Sequence, residues 1–146
     1  MGKVQTQNGP VAGRFSTEHR DCTVNALANC TGIQYAEAHS ILAQQGRENG
    51  KGFSPRIAET RKAFEGRFFV HEVVSYGTTG YDTTLAQFAK AHWCGSFYVS
   101  VQIGKTSRHM VAVVNGVVLD NLDKSYMRSR VRVAWEFERR LSYQAA

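Results

Sequence analysis

Two short stretches of the chain hold the residue types that nucleophilic acyl chemistry requires. In Arg20-Asp21-Cys22-Thr23-Val24-Asn25 a cysteine stands where a helical pattern begins, with Val24, Leu27 and Ala28 recurring at three-and-four spacing before Thr31-Gly32. A thiol at the amino end of a helix meets the positive end of the helix dipole and unpaired backbone N–H groups. Both favour the thiolate, and the same N–H groups can stabilise an oxyanion forming on a substrate carbonyl. Asp21, read as the N-cap of this helix, opposes the thiolate by its own charge. Position alone leaves a plainer reading open, in which Cys22 is a small buried residue at a helix start.

A nucleophile needs a base within hydrogen-bond reach, and histidine suits that role near neutral pH. Of the five histidines, His39 falls in a second helix, His71 inside a strand and His92 at a helix end, all places for packing or surface roles. His19 is near Cys22 in a loop. His109 differs because it opens a strand directly after the polar run Gly104-Lys105-Thr106-Ser107-Arg108, where a side chain can stand at a cleft edge. The strand then reaches Asn115-Gly116, a strong two-residue hairpin signal that calls for a type I′ turn. With that turn Val114 faces Val117, Val111 faces Asp120 and His109 faces Leu122. His109 and Asp120 then share one face as diagonal neighbours, roughly 7 to 8 Å apart at the backbone. Parity therefore prefers Asp120 to Asn121 and Asp123 as the residue that orients the imidazole, provided no bulge intervenes. The chemistry implied is attack by Cys22 on an acyl carbon, proton transfer by His109 and orientation by Asp120.

The other cysteines, Cys30 at the end of the first helix and Cys94 in the run His92-Trp93-Cys94, read as core. A zinc site built from Cys22, Cys94, His92 and His109 lacks any pair with ligand spacing, so no metal is expected, and no cofactor.

These residues need elements to hold them. After the first helix, from Cys22 to Asn29, a second runs from about Tyr35 to Gln45 with Ala38, Ile41 and Leu42 inward, and Gly46 closes it. Ser54-Pro55 signals the start of a third, with Ile57, Thr60, Arg61 and Phe64 on one face up to Gly66. Thereafter the chain turns to strands: Arg67 to Val74, Ser96 to Ile103, His109 to Val114, Val117 to Asp120 and a last one around Val131 to Phe137. A helix from Thr84 to Ala91 interrupts them. In the last strand Val131, Val133, Trp135 and Phe137 alternate with Arg130, Arg132, Ala134, Glu136 and Glu138, which predicts one apolar and one mostly polar face. Helices first and mainly antiparallel strands afterwards predict an α+β domain.

The 146 residues fit one domain spanning 1–146, in which 1–20 reads as an N-terminal arm or loop. No apolar stretch approaches the length of a membrane span, and no charged-then-apolar signal opens the chain. An odd set of cysteines without a CxxC pair suits free thiols in a reducing cytoplasm. The net charge of +6 and the late arginines Arg128, Arg130, Arg132, Arg139 and Arg140 read as a solvated strand face in preference to a nucleic-acid groove. The partner expected is a protein or peptide substrate, with neither nucleic acid nor membrane. The alternative from another class is a catalytically silent binding module whose basic surface meets an acidic partner.

The segment Arg20 to Ala28, followed by Thr31-Gly32 and a second helix, resembles the nucleophile segment of papain-like cysteine peptidases, closest to the small C39-like branch and phage-encoded relatives. The run His109 to Asn121 is similar to the histidine hairpin of that family, in which the acidic partner closes the next strand. The resemblance implies a cysteine-bearing helix packed on an antiparallel sheet that carries the histidine and then an aspartate or asparagine, in a host or bacterial cytoplasm. It implies hydrolysis of a peptide or isopeptide bond through Cys22, His109 and Asp120, with deamidation and transglutamination as variants of the same acyl chemistry. It also implies a glutamine six residues before the cysteine as an oxyanion donor, where Ser16 stands here. Ser16, Thr17 or His19 would then donate together with the Cys22 N–H, and His19 is the choice among them.

Overall fold

The computed structural model describes residues 20–75, 83–120 and 126–141, together with the backbone of strand 5–8. The elements in chain order are β1 (Gln5–Asn8), α1 (Cys22–Thr31), α2 (Tyr35–Gln44), α3 (Ile57–Ala63), β2 (Phe68–Val74), α4 (Leu85–Ala91), β3 (Ser96–Ile103), β4 (Ser107–Val114), β5 (Val117–Asp120) and β6 (Val131–Arg139). They form one six-stranded sheet in the order β1-β5-β4-β3-β6-β2. Strands β2 to β6 pair antiparallel, and β1 joins parallel to β5. This is an α+β fold. The segment read as an arm thus contributes an edge strand, placing Asn8 in register with Asp120.

The sheet is covered on both sides. Residues of α1, α2 and α3 pack with Tyr98, Met110, Ala112, Val133, Trp135 and Phe137 on one face. Phe64, Phe68 and Phe137 meet edge-to-face there, their ring centroids 5.7 to 6.0 Å apart. Leu85, Phe88 and Ala89 of α4 pack with Phe97, Val99, Val101, Val111, Val113 and Val118 on the other. A strand covered on both faces carries apolar residues at every position, and β4 reads Met110-Val111-Ala112-Val113 for that reason.

Local signals account for most element ends. Gly32 takes φ +79 and its N–H bonds to the Ala28 carbonyl, closing α1 as a left-handed cap. Thr84 starts α4 with a full capping box against Gln87. Asn115 and Gly116 lie at φ 51 and 80, the two positive angles of a type I′ turn, which fixes the register Val114↔Val117, Val113↔Val118 and Ala112↔Leu119.

Four sequence expectations need correction. Asp21 precedes α1 but its side chain makes no capping bond, because it turns inward to other partners. Ser54-Pro55 does not begin α3; the helix starts at Ile57, after Arg56 in extended conformation, and residues 53–55 run past the end of α1 as a cleft wall. In β6 the pairing with β3 slips between Ser100↔Val133 and Val101↔Val131, a bulge at Arg132 that turns Val131 to the α4 side while Val133, Trp135 and Phe137 keep the other. Ala134 keeps its alternating face but lies in core, because that face is packed in the cluster that includes α4 and is not left to solvent. Finally, Cys94 is exposed, because His92 ends α4 and the chain turns outward through Trp93, itself 61% exposed, before Gly95 starts the return.

Candidate active site

The site begins with how α1 is held. Arg20 sits at φ 53, an uncommon angle for a residue with a side chain, and its carbonyl accepts a bond from Arg47 Nη2 at 3.3 Å. The next residue, Asp21, is fully buried. Its Oδ2 accepts from Asn25 Nδ2 at 2.9 Å and from the Tyr35 hydroxyl of α2 at 2.8 Å. From the sheet side, the Tyr98 hydroxyl of β3 donates to the Thr23 carbonyl at 3.1 Å. The first turn of α1 is therefore fastened to α2 and to β3, on either side of Cys22. A carboxylate committed to two donors inside the fold has much of its charge met there, which lessens its opposition to a neighbouring thiolate.

Cys22 is half-buried at this turn. It opens on a cleft of about 580 Å³ whose walls are Cys22 and Thr23 on one side and Gly52, Phe53, Ser54 and Pro55 on the other. Ser100, Met110 and Trp135 form the floor, and Thr106 and Arg108 stand at the β3–β4 end.

His109 lies behind the thiol, 3% exposed. Its Nε2 is 2.7 Å from Asp120 Oδ1, and Asp120 is equally buried. Cys22 is near enough for its side chain to act on the imidazole, by hydrogen bonding and by charge. The Tyr126 ring packs against the imidazole at a centroid distance of 5.0 Å. Strand alternation assigns His109 and Asp120 to the α4 side, whereas α1 covers the opposite face. The β4–β5 ladder ends at Ala112↔Leu119, so His109 and Asp120 bond to each other beyond the last paired residues of their strands.

Burial by itself pushes the His109 imidazole toward the neutral form. The hydrogen bond to Asp120, then the hydrogen bond and charge of Cys22, then the charge of Asp120 outweigh it, and the pKa rises from 6.5 to about 9. The imidazolium is thus favoured at neutral pH, with the Asp120 carboxylate accepting from it.

No protein-family model matches the chain, and neither a curated protein nor a solved structure does.

The remaining candidates fall elsewhere. His39 bonds to Asn49 at 2.9 Å, His71 pairs with Glu138 at 3.2 Å on the surface, and His92 bonds back to the Phe88 carbonyl at 3.0 Å while stacking on the Phe88 ring. Cys30 is buried, and burial raises its pKa well above the ordinary value. Ser16, Thr17, His19, Asn121 and Asp123 lie outside the described residues. Among the described residues no group of three or more His, Cys, Asp or Glu side chains is arranged to hold a metal ion. No described helix is long and apolar enough to cross a membrane. Of the late arginines, Arg139 and Arg140 lie over the rings of Phe68 and Phe69, and Arg132 Nε bonds to Gln102 at 3.4 Å.

Sequence reasoning missed Tyr35, Tyr98, Tyr126 and the wall formed by residues 53–55. Asn25 carried a readable signal, since it stands four residues after Asp21 on the same helical face. The tyrosines carried none, because their partners are distant in sequence and single polar tips of aromatic residues leave no periodic trace.

Proposed function

We propose that this chain is a papain-like cysteine peptidase that hydrolyses a peptide or isopeptide bond through a Cys22-His109-Asp120 triad. The observation that carries the reading is the buried imidazole bound to Asp120 at 2.7 Å, with Cys22, which opens on a cleft, near enough to help raise its pKa. Each part of the chemistry then has a residue. The Cys22 thiolate attacks the acyl carbon, and the sulfur–carbon bond forms as the carbonyl electron pair moves onto oxygen. The His109 imidazolium gives its proton to the departing amine, and the neutral imidazole then takes a proton from water to hydrolyse the thioester. Asp120 keeps the ring oriented and balances its charge throughout. A cleft with an apolar floor and wall, from Met110, Trp135, Phe53 and Pro55, and hydroxyls at Ser54, Ser100 and Thr106 suits an extended peptide segment. Deamidation and transglutamination share every step up to the thioester, so the acceptor chosen decides among them.

The test uses a Cys94→Ser background, because Cys94 is exposed and would react with any thiol reagent. Iodoacetamide should alkylate Cys22 near neutral pH well above the rate of glutathione, and His109→Ala should remove that advantage. Release of fluorescent peptides from labelled casein should stop in Cys22→Ala and fall by about 10²-fold or more in His109→Ala. Alkylation no faster than glutathione, with casein cleavage unchanged in Cys22→Ala, would overturn the proposal.

A further inference from the structure

The first turn of α1 contains a polar atom for which the described residues supply no partner. Thr23 is 1% exposed, and its Oγ1 makes no hydrogen bond. Buried side-chain hydroxyls are paired in the large majority of cases, since an orphan opposes folding. Loose placement does not explain this one. The carbonyl of the same residue is held by Tyr98 at 3.1 Å, and the preceding Asp21 is held by Asn25 and Tyr35. Thr23 also lines the cleft onto which Cys22 opens. It belongs to a ten-residue helix whose first N–H groups have no partner within the helix.

We infer that Thr23 is a catalytic residue of this cleft, its hydroxyl joining the first N–H groups of α1 to receive the oxygen that becomes negative when Cys22 adds to an acyl carbon. The inference rests on the acyl chemistry proposed for Cys22. A threonine on a helix divides its time between two χ1 wells, so one staggered step turns the hydroxyl without moving the backbone. As the sulfur–carbon bond forms, the carbonyl pair moves onto oxygen and Thr23 donates a hydrogen bond to it, keeping its own proton. When the pair returns, the bond to the leaving group breaks and His109 supplies the proton that group needs. An unused buried donor one residue from the nucleophile suits the oxyanion-donor role.

Two reagents separate this role from the reactivity of the thiol. Acylation by p-nitrophenyl acetate passes through an oxyanion, whereas alkylation by iodoacetamide is displacement at saturated carbon and builds none. In the Cys94→Ser protein, Thr23→Val should slow nitrophenolate release by about 10- to 10³-fold while leaving the alkylation rate of Cys22 unchanged. Thr23→Ser, which restores the hydroxyl, should retain most of the acylation rate. The Tm of Thr23→Val should equal or exceed that of the parent, since the orphan has been removed. Acylation and alkylation both unchanged in Thr23→Val would overturn the inference and leave the thiol chemistry standing. So would an equal loss of both rates, which marks a packing role. A parent protein with no acylation and with alkylation no faster than glutathione would overturn the proposed acyl chemistry itself.

Discussion

Replacing Asp120 by asparagine keeps the shape of the side chain and removes the charge that faces His109 across 2.7 Å. The rise of the imidazole pKa from 6.5 to about 9 is worth about 3 kcal/mol, at ~1.4 kcal/mol for each tenfold change in proton affinity. Burial is the largest single influence and acts downward, so the groups that raise the pKa must first offset it. The hydrogen bond to Asp120 is the largest of these, and its charge adds to it. Asparagine still offers an acceptor oxygen but no charge, and a neutral amide holds the imidazolium less tightly, so the midpoint should fall. The His109 ring protons, followed by NMR through a pH titration, report this directly. A second readout is stability. A group whose pKa is raised in the fold contributes fully below its unfolded value and loses that contribution as pH rises through the folded value. The parent should therefore lose up to about 3 kcal/mol of unfolding free energy between about pH 6.5 and 9, and Asp120→Asn should show a flatter profile over that window. An Asp120→Asn imidazole still titrating near 9, or a parent imidazole titrating near 6.5, would refute the reasoning.

Other perturbations reach the framework of the site. Tyr35→Phe leaves the Asp21 carboxylate one donor short inside the fold and should cost about 1 to 3 kcal/mol in urea denaturation, with slower alkylation of Cys22 as the first turn loosens. Gly116→Ala meets both a φ of +80 and the Trp93 backbone, 3.3 Å from the added carbon, and should lower the unfolding free energy by at least about 1 kcal/mol. Cys94→Ser should stay within about 0.5 kcal/mol of the parent, while Cys30→Ser, which buries a hydroxyl in apolar surroundings, should cost about 1 to 3 kcal/mol by the same measurement.

The parts of this fold that were legible in the sequence are those written in local code. Gly32 and Gly46 punctuated the first two helices, the fourth was read from Thr84 to Ala91, and Asn115-Gly116 fixed a hairpin register that brought His109 to Asp120. What was not legible depends on contacts between distant segments. Alternation in β6 gave Val131 the wrong face, because the bulge at Arg132 arises from its pairing with β3 and has no signal of its own. Parity also identified the partner of His109 without revealing that the helix bearing Cys22 packs on the opposite side of the sheet. Asp21 looked like a cap from its neighbours, yet Tyr35, fourteen residues away, claims its carboxylate. Cys94 looked like core from the residues beside it, but a short apolar run at a helix end faces wherever the turn sends it.

The central claim is that the Cys22 sulfur and the His109 ring form one reacting pair, and a reagent with two alkylating carbons can measure it. In the Cys94→Ser protein, 1,3-dibromoacetone should react first at Cys22 and then bridge to the nearest imidazole nitrogen. Peptide mapping by mass spectrometry should find Cys22 and His109 joined through a three-carbon link. A product carrying the reagent on Cys22 by one end alone, or bridged to another histidine, would contradict the account.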